Sequence, residues 1–102
     1  MIHVIAVITA KQGRREQILE HFNANVPNVL AEQGCIEYGA AVDADDGPPI
    51  QAKWGADTFL VIEKWESMDA LKAHAAAPHM AAYAAKTREL IASRVIHVLK
   101  PS

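Results

Sequence analysis

An α+β fold with the strand order of a split βαβ unit is expected for this 102-residue chain, and three observations carry the expectation. Four β-branched or alternating apolar stretches are separated by segments whose apolar residues recur at three and four. Their order is strand, helix, strand, strand, helix pair, strand: the ferredoxin-like βαββαβ arrangement, an antiparallel sheet with its helices on one face. Hydrophobic residues make up 51% of a chain too short to bury most of its surface, so a homodimer that shares the burial is expected. Residues 1–102 read as a single domain.

Ile2 to Thr9 is β-branched and almost continuously apolar, which reads as a strand covered on both faces. Lys11, Gln12 and Gly13 end it. From Arg14 to Gln33 the apolar positions Ile18, Leu19, Phe22, Val26, Val29 and Leu30 make an amphipathic helix that Gly34 stops. Pro27 lies inside and is expected to kink or interrupt it. Cys35 to Val42 is the second strand, and Asp43 to Pro49 carries the turn residues of a loop. Ile50 to Asp57 reads as irregular chain or as an edge extension of the hairpin. Thr58 to Glu66 is the third strand, with Phe59, Val61, Glu63 and Trp65 on one face. Ser67 is placed to cap a short helix through Ala76, and Pro78 to open another that runs to about Ser93. Arg94 to Leu99 is the fourth strand. A sheet with helices on one face and apolar residues on both is completed by a second copy, whose sheet would close the pair into a dimeric α+β barrel.

Several function classes are excluded at this stage. The ten Lys and Arg are scattered and the net charge is −2, so no basic stripe is available to follow a nucleic acid backbone. No apolar run approaches the roughly 20 residues that span a bilayer, and Met1 to Ala10 lacks the basic start of a secretory signal. A cytoplasmic protein without a membrane partner is expected. Cys35 is the single cysteine and reads as a small buried hydrophobe.

Chemistry concentrates between Glu63 and Tyr83. Trp65 shares a strand face with Glu63 and Phe59, and it either walls a pocket or packs in the core with its indole donor satisfied. Glu63 is a half-buried carboxylate or a paired residue at the sheet end. Ser67, Leu71 and His74 follow at four and three, so they lie along one side of the short helix and turn His74 toward the sheet. His79 lies in the first turn of the next helix, where the dipole favours an uncharged, proton-accepting ring, and Tyr83 follows on the same side. Two imidazoles and a phenol can thus converge on one cavity. The alanines from Ala73 to Ala85 form helix and leave room for a flat ligand. The five-residue spacing of His74 and His79 across Pro78 is not that of a helical metal pair, so no metal site is expected. His3, His21 and His97 are isolated and read as structural.

Glu63-Lys64-Trp65-Glu66-Ser67, then Ala70-Leu71, His74, Pro78-His79-Met80 and Ala82-Tyr83, resembles the signature of the antibiotic biosynthesis monooxygenase family. Val26-Pro27, Val29-Leu30, Glu32, Gly34-Cys35 and Tyr38 fit the same group, and the resemblance is closest to its bacterial quinol monooxygenases. It implies a dimeric α+β barrel and an oxygenase that uses no cofactor. On that reading a small hydroquinone or phenol supplies electrons to O2 after His74 or His79 takes its proton, and Trp65, Glu63, Phe59, Leu71 and Tyr83 hold the ring. The asparagine that haem-degrading relatives carry on the first strand is absent from Ala6-Val7-Ile8, and of the set used on polyketide aromatics only Trp65 has a counterpart. Two other readings are an isomerase of a small polar metabolite on this scaffold and a non-enzymatic ligand-binding or stress-related dimer.

Overall fold

Alternating burial along the first strand sets the layout of the chain. In the computed structural model, which describes residues 1–102, β1 (Ile2–Ala10) buries Val4, Ala6, Ile8 and Ala10 and leaves the residues between them half-exposed. It is followed by α1 (Arg15–Leu30), β2 (Cys35–Ala41), β3 (Thr58–Trp65), α2 (Met68–Ala75), α3 (Pro78–Thr87), a 3₁₀ turn (Arg88–Leu90) and β4 (Ile91–Leu99). The sheet order is β2-β3-β1-β4 with every neighbouring pair antiparallel, which is the expected ferredoxin-like α+β arrangement. Because β3 inserts between β1 and β2, each helical connection crosses the same face of the sheet.

The core lies between that face and α1. Ile18, Phe22 and Val29 of α1 meet Val4, Ala6 and Ile8 of β1 and Phe59, Val61 and Trp65 of β3. Phe22 is its aromatic hub, stacked on Tyr38 at 5.2 Å and edge-on to Phe59 and Tyr83, geometries that satisfy the ring quadrupoles as well as burying area. Period-two alternation places Phe59, Val61, Glu63 and Trp65 on the helix side, as expected.

Three local expectations are corrected. Pro27 does not interrupt α1, which continues to Leu30, and its carbonyl accepts from Ala31 N at the helix end. The helix then stops at Leu30 rather than Gln33, and residues 31–34 form a turn. The largest difference is at the last helix, which ends at Thr87 instead of near Ser93. Ile91 pairs with Ala10 and Ser93 with Thr9, so the ladder along a nine-residue β1 captures residues that local propensity assigns to helix. The two helix starts fall where expected: Ser67 Oγ accepts from Ala70 N at 3.1 Å, and Pro78 occupies the first turn of α3.

Gly34 fixes how closely the turn after α1 approaches α2. Its φ is +84°, a left-handed value, and a Cβ there would stand 2.6 Å from Ala70 Cβ. Its carbonyl accepts from Glu66 N at 2.8 Å. Substituting Gly34→Ala is therefore expected to lower stability by about 2 to 4 kcal/mol in urea unfolding, from backbone strain and overpacking together. Adding Ala70→Gly should recover the packing part and leave the strain.

Candidate active site

A carboxylate at the C-terminal end of a helix faces the negative end of the dipole and needs a donor to hold it. Glu32, in the turn after α1, has two imidazoles. His74 Nδ1 lies 2.7 Å from Glu32 Oε2 and His79 Nε2 lies 3.4 Å from the same oxygen. A carboxylate can only accept, so Nδ1 of His74 carries the proton and, in the neutral ring, Nε2 carries the lone pair. That Nε2 has no partner in the protein and is not sealed from the cavity that His74 lines.

His79 is held differently. Asn28 Nδ2 donates to Asn25 Oδ1 at 3.0 Å, which orients the Asn25 amide so that its Nδ2 donates to His79 Nδ1 at 3.1 Å. The remaining proton of a neutral His79 is then on Nε2, facing Glu32, although too poorly aligned for a hydrogen bond. Both ring nitrogens of His79 point into the protein, and the residue borders a minor cleft of about 200 Å³ rather than the main cavity.

The main cavity measures about 690 Å³, and 17 of its 22 lining residues are hydrophobic, a size and polarity suited to a small, largely apolar ligand. Val4, Ala6 and Ile8 form its floor with Ile96 and Val98, and Leu71, Met80 and the alanines of α2 and α3 form its roof. Glu63, His74, Tyr38 and Tyr83 supply polar groups. Of the residues singled out in the sequence, His74, Glu63, Leu71 and Tyr83 come together on this cavity. Trp65 and Phe59 are fully buried and stand behind its wall. Trp65 holds two of the lining groups from there: its ring lies 4.7 Å from that of His74, and its Nε1 donates to Glu63 Oε1 at 2.9 Å.

Burial drives the electrostatics. It raises the Glu63 pKa above the ordinary carboxylate range, and the nearby Glu32 charge adds to the rise, while the Trp65 donor and His74 act against it. Burial pushes the Tyr83 phenol to about 12 and raises Tyr38 as well, so both remain protonated donors at neutral pH. The Cys35 thiol is also raised, by burial and by the Glu32 and Glu63 charges, which keeps it a poor nucleophile. No group of His, Cys, Asp and Glu side chains is arranged to hold a metal ion.

Glu32, Asn25 and Tyr38 were not among the expected site residues. Glu32 carried a readable signal, an acid at the unfavourable end of a helix. Tyr38 sits opposite Glu63 in the β2–β3 register, which only the pairing reveals, and Asn25 has no distinguishing mark in the sequence.

The shifted Glu63 has a measurable consequence. Its folded-state pKa is raised, so the native state binds the extra proton, and the stabilisation is full below the ordinary value of 4.5 and lost as pH rises through the raised one. Glu63→Gln keeps an acceptor for the indole. The difference in melting temperature between Glu63→Gln and the parent should grow in favour of the variant across that window and flatten above it, as followed by thermal unfolding at stepped pH.

The family model described as antibiotic biosynthesis monooxygenase matches residues 1–86. The chain is 37% identical over 103 residues to the probable quinol monooxygenase YgiN of Escherichia coli, covering 99% of this chain and 98% of that protein. Among solved structures, PA3566 of Pseudomonas aeruginosa superposes with a TM-score of 0.81 at 27% identity, covering 99% of this chain and 93% of that one. Rv0793 of Mycobacterium tuberculosis superposes at 0.80 with 25% identity, covering 99% and 94%. With its fold and nearly all of its length in common with these proteins, the chain belongs to the antibiotic biosynthesis monooxygenase family.

Proposed function

We propose that the protein is an oxidoreductase, a monooxygenase that oxidises a small hydroquinone or phenol-like aromatic with O2 without a cofactor. The observation that carries this reading is His74: one ring nitrogen is fixed by Glu32 and the other is free on an apolar cavity. Glu32 sets the tautomer and stabilises the imidazolium that forms on proton transfer, so it is a positioning residue and His74 is the general base. His79, whose nitrogens are turned away from the cavity, supports Glu32.

Triplet O2 reacts poorly with closed-shell organics, and deprotonation is what turns a hydroquinone into an electron donor. His74 Nε2 takes a hydroxyl proton, and the anion passes one electron to O2 to give a semiquinone and superoxide. Their recombination forms a carbon–oxygen bond, and loss of water leaves a hydroxyquinone, so one oxygen atom enters the product and the other becomes water. Protonated Glu63, favoured by burial, can donate to the departing oxygen. Leu71, Met80 and Tyr83 hold the ring and limit the entry of water, which strengthens each of these charge interactions.

The second sheet face bears on assembly. Ile5 and Val7 of β1, Leu60 and Ile62 of β3, and Val95 and Leu99 of β4 share it, the last two 50% and 49% exposed. A homodimer in which two such faces pack would cover this surface. No helix is long and apolar enough to cross a membrane, and a cytoplasmic location is part of the same reading.

Two measurements check the proposal. Oxygen uptake by metal-free protein with a panel of reduced naphthoquinones should exceed autoxidation; His74→Ala should lower that rate by about 100- to 10,000-fold while the fold is kept, and Glu32→Gln by about a hundredfold. No uptake above autoxidation with any quinol would sink the oxygenase, and turnover that persists without oxygen would favour an isomerase. In sedimentation the chain should run at twice its 11.1 kDa, and Ile62→Lys should return it to a monomer; a monomeric parent would remove the dimer.

A further inference from the structure

Two elements line the cavity lengthwise as they lead away from His74. Along α3 the lining residues are Ala77, Met80, Ala81 and Ala84, and the next on that side is Arg88; along β4, read from its C-terminal end, they are Val98, Ile96 and then Arg94. Apart from the hydroxyls of Tyr83 and Thr87, both runs are apolar until they reach an arginine. In the strand register Val98 and Glu63 flank Val4, whereas Arg94 and Phe59 flank Ile8. Four residues of strand therefore separate the Glu63 end of the cavity from the Arg94 end, about 13 Å.

Neither guanidinium is committed elsewhere. The ion pairs of the chain are Arg15–Glu16, Lys64–Glu37 and the two imidazoles on Glu32, and no side-chain hydrogen bond uses Arg88 or Arg94. The cavity is thus polarised along its length. The Glu63 end is lined by a buried carboxyl and an imidazole and offers an anion no guanidinium, whereas two unpaired, planar donor groups make the other end favourable for one.

We propose that the cavity selects an aromatic quinol carrying an anionic substituent such as a carboxylate, with the hydroxyl at His74 and the anion between Arg88 and Arg94. This rests on the quinol reading of the site and narrows its substrate class. The charge pattern also sets orientation, because a reversed ligand would bring its anion to Glu63 and leave both arginines unpaired. A quinol with a long apolar tail is disfavoured, since its tail would lie across the two guanidiniums and strip them of water.

Binding of stable phenols tests this apart from oxygen chemistry. Calorimetric titration of the full chain with 6-hydroxy-2-naphthoate, whose carboxylate is remote from its hydroxyl, is compared with 2-naphthol. The carboxylate is expected to bind about tenfold tighter per engaged arginine at low salt. That advantage, taken as the ratio of the two affinities in each variant, should shrink with added salt, fall in Arg88→Gln and Arg94→Gln, and reverse in Arg94→Glu. Both side chains are exposed, so the variants should fold, as their circular dichroism will check. Equal affinity of the two phenols, or an advantage that survives both Gln substitutions, would overturn the proposal and leave the quinol reading standing. Binding of neither phenol would overturn both. Arginine-dependent binding without oxygen uptake on any quinol would uphold the anion end and remove only the oxygenase.

Discussion

The Glu32 carboxylate sits where three helical segments meet, 2.7 Å from His74 Nδ1 and 3.4 Å from His79 Nε2, and the layer above the sheet is arranged around it. A carboxylate in the turn after α1 would be poorly placed on dipole grounds alone. With the Nδ1 donor of His74 from α2 and the His79 ring of α3 3.4 Å away, it becomes the point where both short helices meet the end of α1. Neither short helix has the length to be stable on its own, so their positions depend on this contact, on the Gly34 approach to Ala70, and on His74 packing against Trp65 and Tyr38. The same interaction that orders the layer also fixes the tautomer of its most buried imidazole. Structure and proposed catalysis therefore draw on one hydrogen bond, and a change at Glu32 would disturb both.

The cavity is a consequence of how little the helical layer covers. Helix α1 packs over β2 and β3, where the large core residues Phe22, Phe59 and Trp65 fill the space. Above β1 and β4 the roof is built from alanines of α2 and α3, and small side chains at a fixed helix-to-sheet distance leave a gap instead of a core. The exposed inner face of β4, with Ile96 and Val98, follows from the same shortage. A ligand that entered here would replace packing the chain does not supply for itself.

The strand order and faces were legible because period-two burial survives in the residues themselves: Phe59, Val61, Glu63 and Trp65 alternate with Leu60, Ile62 and Lys64 whatever they pack against. Helix starts at Ser67 and Pro78 were equally legible, since capping is local chemistry. What failed was the end of the last helix, where Ile91 to Ser93 were drawn into the β1 ladder by a partner some eighty residues distant in the chain. At the site, His74, Glu63, Leu71 and Tyr83 could be gathered from spacing on single elements. Tyr38 could not, because it reaches the cavity from a strand whose register with β3 is a tertiary fact, and Glu32, though legible as an acid at the wrong end of a helix, could not be joined to His74, because that contact is tertiary too. The separation of His74 from His79 has the same origin: both are close in sequence, and only Asn25 of α1 and the shared carboxylate decide which ring is turned toward the cavity.

Oxygen chemistry driven by a substrate's own electrons makes a particular demand on its container. Semiquinone and superoxide held together for recombination would also react with any thiolate or phenolate within reach, so the lining must keep such groups in their protonated forms. Here burial does so without a dedicated device: the phenol of Tyr83 is held near 12, Tyr38 is raised as well, and the Cys35 thiol is raised by burial and by two carboxylate charges. Burial, with the Glu32 charge adding at Tyr38 and Cys35, thus suppresses ionisation of the protein's oxidisable groups around His74. Under the proposed mechanism, the electron-rich anion left for O2 to meet is then the one that His74 would make from the ligand.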